Sequence, residues 1–519
     1  MITRWNAGRE GRATVWLLIG ITLLAAALRV YRIGASGLWT DETFSLWAAT
    51  RHSFSDVWYG AKVLDARPPL YYWLLHLWVH AGDSESILRF LSAVFGTFTV
   101  PVVFGIGGIV GGRTAGMMAA FLLAVSPVDV HYSQEVRMYS LLPFVAAISM
   151  LATAWLLRSP SAGTAADGRE ISYGRPPRDL AAWTAYILAT AGAMWVHYPA
   201  VFLPISTNII VALLWPRLAH RPHFLRNWVA AQAIVVLLCL PLVPLYLYQS
   251  KGPNFPPMPP LSLAPVLEGL LPDVIMIRDS VLLFLIAVLL ETALGVAAVT
   301  LAVRARGQDP QRLVFTCTLW LAPLIGEMIT SALWRPVLAP KLLVWTTIPF
   351  YVLVTATLAD LQARPRLRAA VLGVLLFVAV TGLSMHYWRQ PEYEAWRPVA
   401  RYVAQHVRPG DAILFNDGYV ELPFDYYFQR YHVAAVEVGV PGSFGANSTD
   451  EPIMTQADVP ALRSFAIRHK RLWLIYSHYW YTDPLRLVPK TLAEIAQLTE
   501  TRAFASRESI VVSTYGPRR

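Results

Sequence analysis

Long apolar runs constrain this chain more than any other feature. They fall at Thr14–Val30, Ile87–Val110, Thr114–Pro127, Met138–Leu157, Leu180–Val196, Ala200–Trp215, Asn227–Tyr248, Val281–Ala302, Leu313–Ala332, Leu342–Leu361 and Ala369–His386. A bilayer core takes ~20 residues of helix, so the series predicts about eleven crossings. Lipid offers the backbone no hydrogen-bond partner, and an apolar run of this length must close its own bonds as a helix. Only 15% of the residues are charged, against ~25% in a soluble chain. The fold class that follows is a polytopic α-helical membrane protein.

Orientation comes from the basic clusters. Arg4, Arg9 and Arg12 precede the first run, Arg113 follows the second, and Arg158, Arg169, Arg175 and Arg178 follow the fourth. Arg217, Arg221 and Arg226 come next, then Arg304, Arg306 and Arg312, and last Arg364, Arg366 and Arg368. All fall on one side of a chain with that alternation, and the positive-inside rule makes that side cytoplasmic. The net charge of +10 is spent in these short clusters, which speaks against nucleic acid as a partner. No small-residue cleavage site follows the first run at Leu28-Arg29-Val30-Tyr31-Arg32, so it reads as an uncleaved span. Cys239 and Cys317 both sit inside apolar runs and read as packing residues.

This topology places the N-terminus in the cytoplasm and everything after His386 outside, in the periplasm or its equivalent. It predicts a transmembrane domain over 1–387 with external loops at 31–85, 128–137 and 249–279. The pieces Phe44–Ala49 and Phe54–Val63 in the first loop are amphipathic and suit helices at the bilayer surface. The third loop contains Pro253-Asn254-Phe255-Pro256-Pro257-Met258-Pro259-Pro260, which reads as an extended flap. The tail, 388–519, is compositionally soluble. It alternates a helix at Trp396–Val407, a strand at Ala412–Phe415, a strand at Val433–Val438, a helix at Pro460–His469 and a strand at Arg471–Tyr476. That pattern predicts a soluble α/β domain. It carries no Gly-x-Gly-x-x-Gly and no Walker loop, so a nucleotide site has no sequence support.

Ionisable groups gather at the external ends of the runs. Leu38-Trp39-Thr40-Asp41-Glu42 puts two carboxylates in the first external loop, and Arg67-Pro68-Pro69-Leu70-Tyr71-Tyr72 follows in the same loop. Between the third and fourth runs, Asp129, His131, Tyr132, Glu135 and Arg137 crowd one short connector. His197-Tyr198 tops the fifth run, Glu327 lies late in the ninth, and Lys341 stands just beyond it. Glu291 is the main exception, near the middle of a run. Charges at membrane depth need a partner or a purpose. Carboxylates can deprotonate a hydroxyl or hold a divalent cation, and guanidinium and ammonium groups can hold a phosphate. The combination suggests group transfer from a lipid-linked phosphate.

At these residues the chain resembles the GT-C superfamily of polytopic glycosyltransferases. Within it, the nearest branch is the bacterial one related to protein O-mannosyltransferases and to the aminoarabinose transferases of lipid A. The resemblance rests on Leu38–Glu42, on Arg67–Tyr72 and on Tyr132-Ser133-Gln134-Glu135-Val136-Arg137-Met138-Tyr139. It implies an inverting transfer of a sugar from a polyprenyl-phosphate donor to an envelope hydroxyl (on a lipid, glycan or protein), at the extracytoplasmic face of the bacterial inner membrane. On this sequence it implies Asp41 as the general base or its orienter and Glu135 as the second carboxylate. Arg67, Arg137 and Lys341 would hold the donor phosphate, and Glu42, Tyr71, His131, Tyr132, His197 and Tyr198 would line the substrate. Relatives carry an Arg-Tyr pair where this chain has Lys341-Leu342; lysine keeps the charge and loses the bidentate fork. Metal use differs across the superfamily, and a divalent cation, if used, would fall to Asp41 and Glu135. The competing readings are a transporter or flippase of a lipid-linked oligosaccharide and an O-antigen-type polymerase. A transporter should carry charges within several spans and related halves, whereas these gather on one face. A polymerase would load a late external loop rather than the first.

Overall fold

The computed structural model describes residues 9–64, 67–158, 163–164, 170–171, 176–251, 262–277, 280–304, 310–334, 336–361, 364–389, 392–443 and 453–518. The flap expected at Pro253–Pro260 lies outside them, as do Arg4, Arg169, Arg175 and Arg306.

Helices occupy every expected apolar run. Arg9–Val30, Glu85–Val110, Val281–Arg304, Pro310–Leu333 and Pro365–Ser384 are long single helices, and Pro176–Val196 is another. The Phe224–Cys239 and Leu242–Gln249 helices share one run and are bent by 54° at their break. Gly112–Val125, Leu141–Leu157, Tyr198–Leu213 and Val344–Asp360 are shorter and apolar. Among the described residues, five helices are long and apolar enough to cross a membrane, or six if the bent pair is one span. Many of their large side chains, such as Trp16, Leu23, Val236, Leu282, Leu289 and Val380, are exposed. Leucines spread over the outside of long helices suit contact with lipid. The protein is a multi-pass helical membrane protein with a C-terminal α/β domain.

Chain contacts divide it into two compact units. One holds Met1–Arg32, Arg89–Pro244 and Pro257–Arg389; the other holds Ile33–Leu88, Leu245–Pro256 and Gln390–Arg519. The first large loop therefore folds with the tail. It forms the Thr40–Ala49, Phe54–Leu64 and Leu70–Trp78 helices, the first two where the amphipathic pieces were expected.

The tail's main sheet has strands β1 (Ala412–Phe415), β2 (Val436–Gly439), β3 (Leu472–Tyr476), β4 (Ala496–Phe504) and β5 (Ile510–Pro517). Their order is β2-β1-β3-β5-β4. β1 is parallel to β2 and β3, while β5 is antiparallel to β3 and β4. The central strands Ala-Ile-Leu-Phe and Leu-Trp-Leu-Ile-Tyr are buried throughout, as parallel strands covered on both faces must be. Side chains alternate between two layers, as the strand pleat requires. Ile413, Phe415, Trp473 and Ile475 pack with Trp396, Val399, Val403 and Phe424 on one face. Leu414, Leu472 and Leu474 pack with Leu462, Val488 and Leu492 on the other. The Trp396–His406 helix stops ahead of Gly410, which turns the chain at φ 90° into β1. A positive φ of this size is inexpensive only for glycine.

Candidate active site

Each compact unit carries part of the predicted site. In the unit that joins the first loop and the tail, Asp41 and Glu42 open the Thr40–Ala49 helix. Their surroundings differ. Glu42 is fully buried, and its Oε2 accepts the Trp39 N–H at 3.3 Å. That N3-to-Ncap contact closes one orphan amide of the helix start. Asp41 is half-buried. Helix geometry separates consecutive side chains by about 100°, so the two carboxylates point different ways. Thr40, just ahead of Asp41, gives its N–H to Glu394 Oε2 at 2.9 Å and its Oγ1–H to the same oxygen at 2.5 Å. Glu394 comes from the tail and was not anticipated as a site residue.

Further along this unit, Arg67 is half-buried, and its carbonyl accepts from Gln249 Nε2 at 3.3 Å. Gln249 also donates to the Ala61 carbonyl at 2.9 Å. Pro69 precedes the Leu70–Trp78 helix, in keeping with the proline preference for helix starts. Tyr71 and Tyr72 on that helix are fully buried, with their rings edge-to-face at 6.0 Å.

The other unit gathers the second group of predicted residues. Ser126 caps the short Pro127–Tyr132 helix, and the chain then passes through Glu135 and Arg137 before the Leu141–Leu157 helix. His131 Nε2 lies 3.3 Å from Glu135 Oε1. Burial pushes the Glu135 carboxyl up, but His131, Lys341 and Arg137 more than offset this and hold it below the usual carboxylate range. It is therefore an anion at neutral pH. Its Oε2 is buried and has no hydrogen-bond partner among the described residues, so an acceptor oxygen is left open beside the ion pair. The Arg137 guanidinium stands 5.7 Å from the Tyr139 ring centre and Lys341 Nζ stands 5.4 Å from the same centre. Two cations predicted from separate stretches thus meet at one aromatic ring, which can lend each a cation–π contact. The Tyr132 ring packs edge-on against Tyr139 at 5.1 Å and against His131 at 4.9 Å. His131 also meets the His386 ring at 5.2 Å. His197 is buried at the end of the Pro176–Val196 helix, and half-buried Tyr198 opens the next turn.

Beneath this loop lies a carboxylate pair that sequence reading caught only in part. Ser126 Oγ is 2.7 Å from Asp129 Oδ2 and 2.8 Å from Asp273 Oδ1. A hydroxyl has one proton to donate, so the second contact needs a proton on one of the carboxyls. Burial, with the adjacent Asp273 charge, pushes Asp129 up to about 7, and burial raises Asp273 as well. Thr347 Oγ1 approaches Asp129 at 3.3 Å, and Tyr351 donates to Asp273. Asp273 lies between the expected spans in a loop whose most visible signal was its prolines, so nothing in the sequence linked it to Asp129. Arg29 braces the same loop through Ser133 Oγ at 3.2 Å and the Leu123 and Ala124 carbonyls at 3.3 and 3.2 Å.

Among the described residues, no group of three or more His, Cys, Asp or Glu side chains is gathered as a metal ion requires.

The helical membrane part and the α/β tail have a fold shared with solved structures of ArnT and of an archaeal oligosaccharyltransferase. The family described as dolichyl-phosphate-mannose-protein mannosyltransferase matches residues 66–165, a stretch that holds Arg67, Glu135 and Arg137. ArnT from Cupriavidus metallidurans in the apo state is 13% identical and shares the fold over 97% of this chain and 98% of its own, with a TM-score of 0.60. The same protein bound to undecaprenyl phosphate is 14% identical over 96% and 98%, with a TM-score of 0.57. Archaeal oligosaccharyltransferase AglB from Archaeoglobus fulgidus, in complex with an inhibitory peptide and a dolichol-phosphate, is 11% identical over 98% and 74%, with a TM-score of 0.50. No curated protein matches the chain in sequence.

Proposed function

We propose that this protein is an inverting glycosyltransferase that moves a sugar from a polyprenyl-phosphate donor to a hydroxyl acceptor on the extracytoplasmic side of the bacterial inner membrane. The observation that carries the reading is the convergence of Arg137 and Lys341 on Tyr139 beside the buried Glu135 anion. Two cations on one aromatic ring suit a phosphate that must be held through its departure. Further support comes from the fold likeness to ArnT, whose structure is also known with undecaprenyl phosphate bound.

In this mechanism the acceptor hydroxyl oxygen attacks the anomeric carbon from the face opposite the phosphate. Asp41 takes the hydroxyl proton. The bond between the anomeric carbon and the phosphate oxygen breaks, and its electron pair leaves with polyprenyl phosphate. Arg137 and Lys341, with Arg67 as a third cation, stabilise the growing negative charge. Phosphate leaves as an anion and needs no acid. Glu135 orients the acceptor through its open Oε2, with His131 fixing the carboxylate, while Tyr71, Tyr132, His197 and Tyr198 shape the pocket. The membrane domain covers 1–387 and the extracytoplasmic domain 388–519, with the N-terminus in the cytoplasm.

Mass spectrometry of envelope lipids and polysaccharides from a gene-deletion strain identifies the product. Restoring the gene as Asp41→Asn should leave that product absent while the protein accumulates in the membrane. Full product in that strain would remove Asp41 from the chemistry. Arg137→Ala should weaken undecaprenyl phosphate binding, and removal of one charge-stabilising contact of this kind typically slows transfer by ~10²–10³.

A further inference from the structure

In an α/β sheet the crevice outside the carboxyl ends of parallel strands, where strand order reverses, is the usual place for a ligand. In the tail that point lies between β1 and β3, since β2 flanks β1 on one side and β3 on the other. Here it is closed. Asn416, just after β1, donates to the Ser477 carbonyl at 2.7 Å and accepts the Ser477 N–H at 2.8 Å. It donates also to Thr482 Oγ1 at 2.7 Å.

His478 stands directly after this closure, in a left-handed backbone conformation at φ 50°. Its Nδ1 meets Ser477 Oγ at 3.0 Å, and its Nε2 lies 3.4 Å from Glu394 Oε1. Glu394 is almost fully buried. Its other oxygen takes both Thr40 donors and the Trp396 indole N–H. One oxygen of this carboxylate faces the histidine, and the other holds the first turn of the helix that carries Asp41.

The grip extends upstream of Thr40. The Leu38 N–H donates to Tyr427 Oη at 2.6 Å, and the Gly37 N–H to Glu392 Oε1 at 3.4 Å. Arg397 donates to the Gly34, Ala35 and Ser36 carbonyls, each at 3.3 Å, and pairs with Glu85 at 2.8 Å. Trp39 stacks on Tyr393 at 4.4 Å. All of these groups belong to one compact unit.

We propose that Glu394 and His478 are positioning residues for Asp41, and that the tail serves the reaction by fixing the start of the Thr40–Ala49 helix rather than by binding a ligand of its own. This rests on Asp41 being the catalytic base. A carboxylate at the amino end of a helix meets both its orphan amides and the positive end of its dipole, so the backbone that carries Asp41 is set from the tail. The histidine keeps that carboxylate ionised and in register. The charged groups facing His478 are Glu394, Glu508 and Asp417. Burial opposes the imidazolium, but these three outweigh it and hold its pKa above the ordinary histidine value. Burial likewise pushes Glu394 up, and His478, Thr40 and Trp396 hold it below the usual range. The clamp is therefore complete at pH values between the two and opens as pH rises through the His478 transition.

The test is amide hydrogen exchange on the full-length protein in nanodiscs, with protection factors for the Thr40–Ala49 helix measured across pH. Wild type should show a loss of protection as pH rises through the His478 transition. Glu394→Gln should lower protection at the helix start by about tenfold or more, the scale of one charged hydrogen bond, and should remove the pH step. Glu394→Asp should restore part of both. Binding of undecaprenyl phosphate should stay within about twofold, while the envelope product falls by about tenfold or more. If Glu394→Gln does not accumulate, His478→Asn reads the same pH step and should abolish it. Unchanged protection and full product in these variants, with Asp41→Asn inactive, would overturn the clamp alone. Full product in Asp41→Asn would overturn the base assignment, and with it the positioning role.

Discussion

At the residue scale, two small groups decide whether the loop between Gly112–Val125 and Leu141–Leu157 can hold its shape. Gly96 is one. A Cβ there would sit 2.0 Å from Ser133 Oγ and 2.8 Å from Arg29 Nε, and both of these side chains are buried. Gly96→Ala should displace the Arg29–Ser133 contact and cost about 1–3 kcal/mol, as overpacking usually does, read as a lower melting temperature in detergent. The other is Asp129. Its folded pKa, up to about 7, lies far above that of an unfolded aspartate near ~4. Between those values the native state binds more protons than the unfolded one, so this residue makes stability fall as pH rises. The sign is opposite to that of Glu135 and Glu394, whose lowered values make stability rise with pH below the usual carboxylate range. Melting temperatures from about pH 4 to about pH 7 should therefore decline less in Asp129→Asn than in wild type. An identical slope would show that the Ser126-bridged pair carries no shared proton.

At the element scale, apolar periodicity made most of the fold legible. Every run predicted from its apolar composition is helical, and the tail's buried strands Ala412–Phe415 and Leu472–Tyr476 fall within a residue of expectation. The β4–β5 hairpin was missed, for a physical reason. β4 reads Ala-Gln-Leu-Thr-Glu-Thr-Arg-Ala-Phe and is exposed along most of its length, so it has no inward face to produce an alternating signal. The Glu421–Phe428 helix was missed too, although its residues matter to the loop. Its Tyr427 Oη accepts the Leu38 N–H at 2.6 Å and donates to Glu85 at 3.1 Å. Tyr427→Phe keeps the ring in the core and strands a buried amide. It should cost about 1–3 kcal/mol, and a double mutant with Glu85→Gln should lose less than the sum of the two single changes.

At the scale of the whole molecule, candidate site residues are more legible in the sequence than the residues that support them. Arg137 and Lys341 stood out because a charge beside a span needs a reason, and the structure brings them to one ring. The supports act mainly through the backbone: Arg397 on three carbonyls, Tyr427 on an amide, Glu394 on the Thr40 N–H. Backbone partners leave no trace in residue type, and more than 300 positions separate Thr40 from Glu394. Local patterns therefore could not show that 33–88 and the tail fold as one unit. That unity has a direct consequence. A chain ending at Arg389 would leave the Gly34–Ser36 carbonyls and the Leu38 and Thr40 amides without their tail partners, and Trp39 without Tyr393. Its loop should open to solvent and protease, because local stability follows the contacts that close a segment. Limited proteolysis should cut the truncated protein within residues 34–50 well before the full-length chain, with the Leu141–Leu157 and Thr347–Asp360 helices equally protected in both. Equal cleavage of that loop in the two proteins would mean that the tail contacts contribute nothing to its order, and the tail's service to Asp41 would have to be abandoned with them.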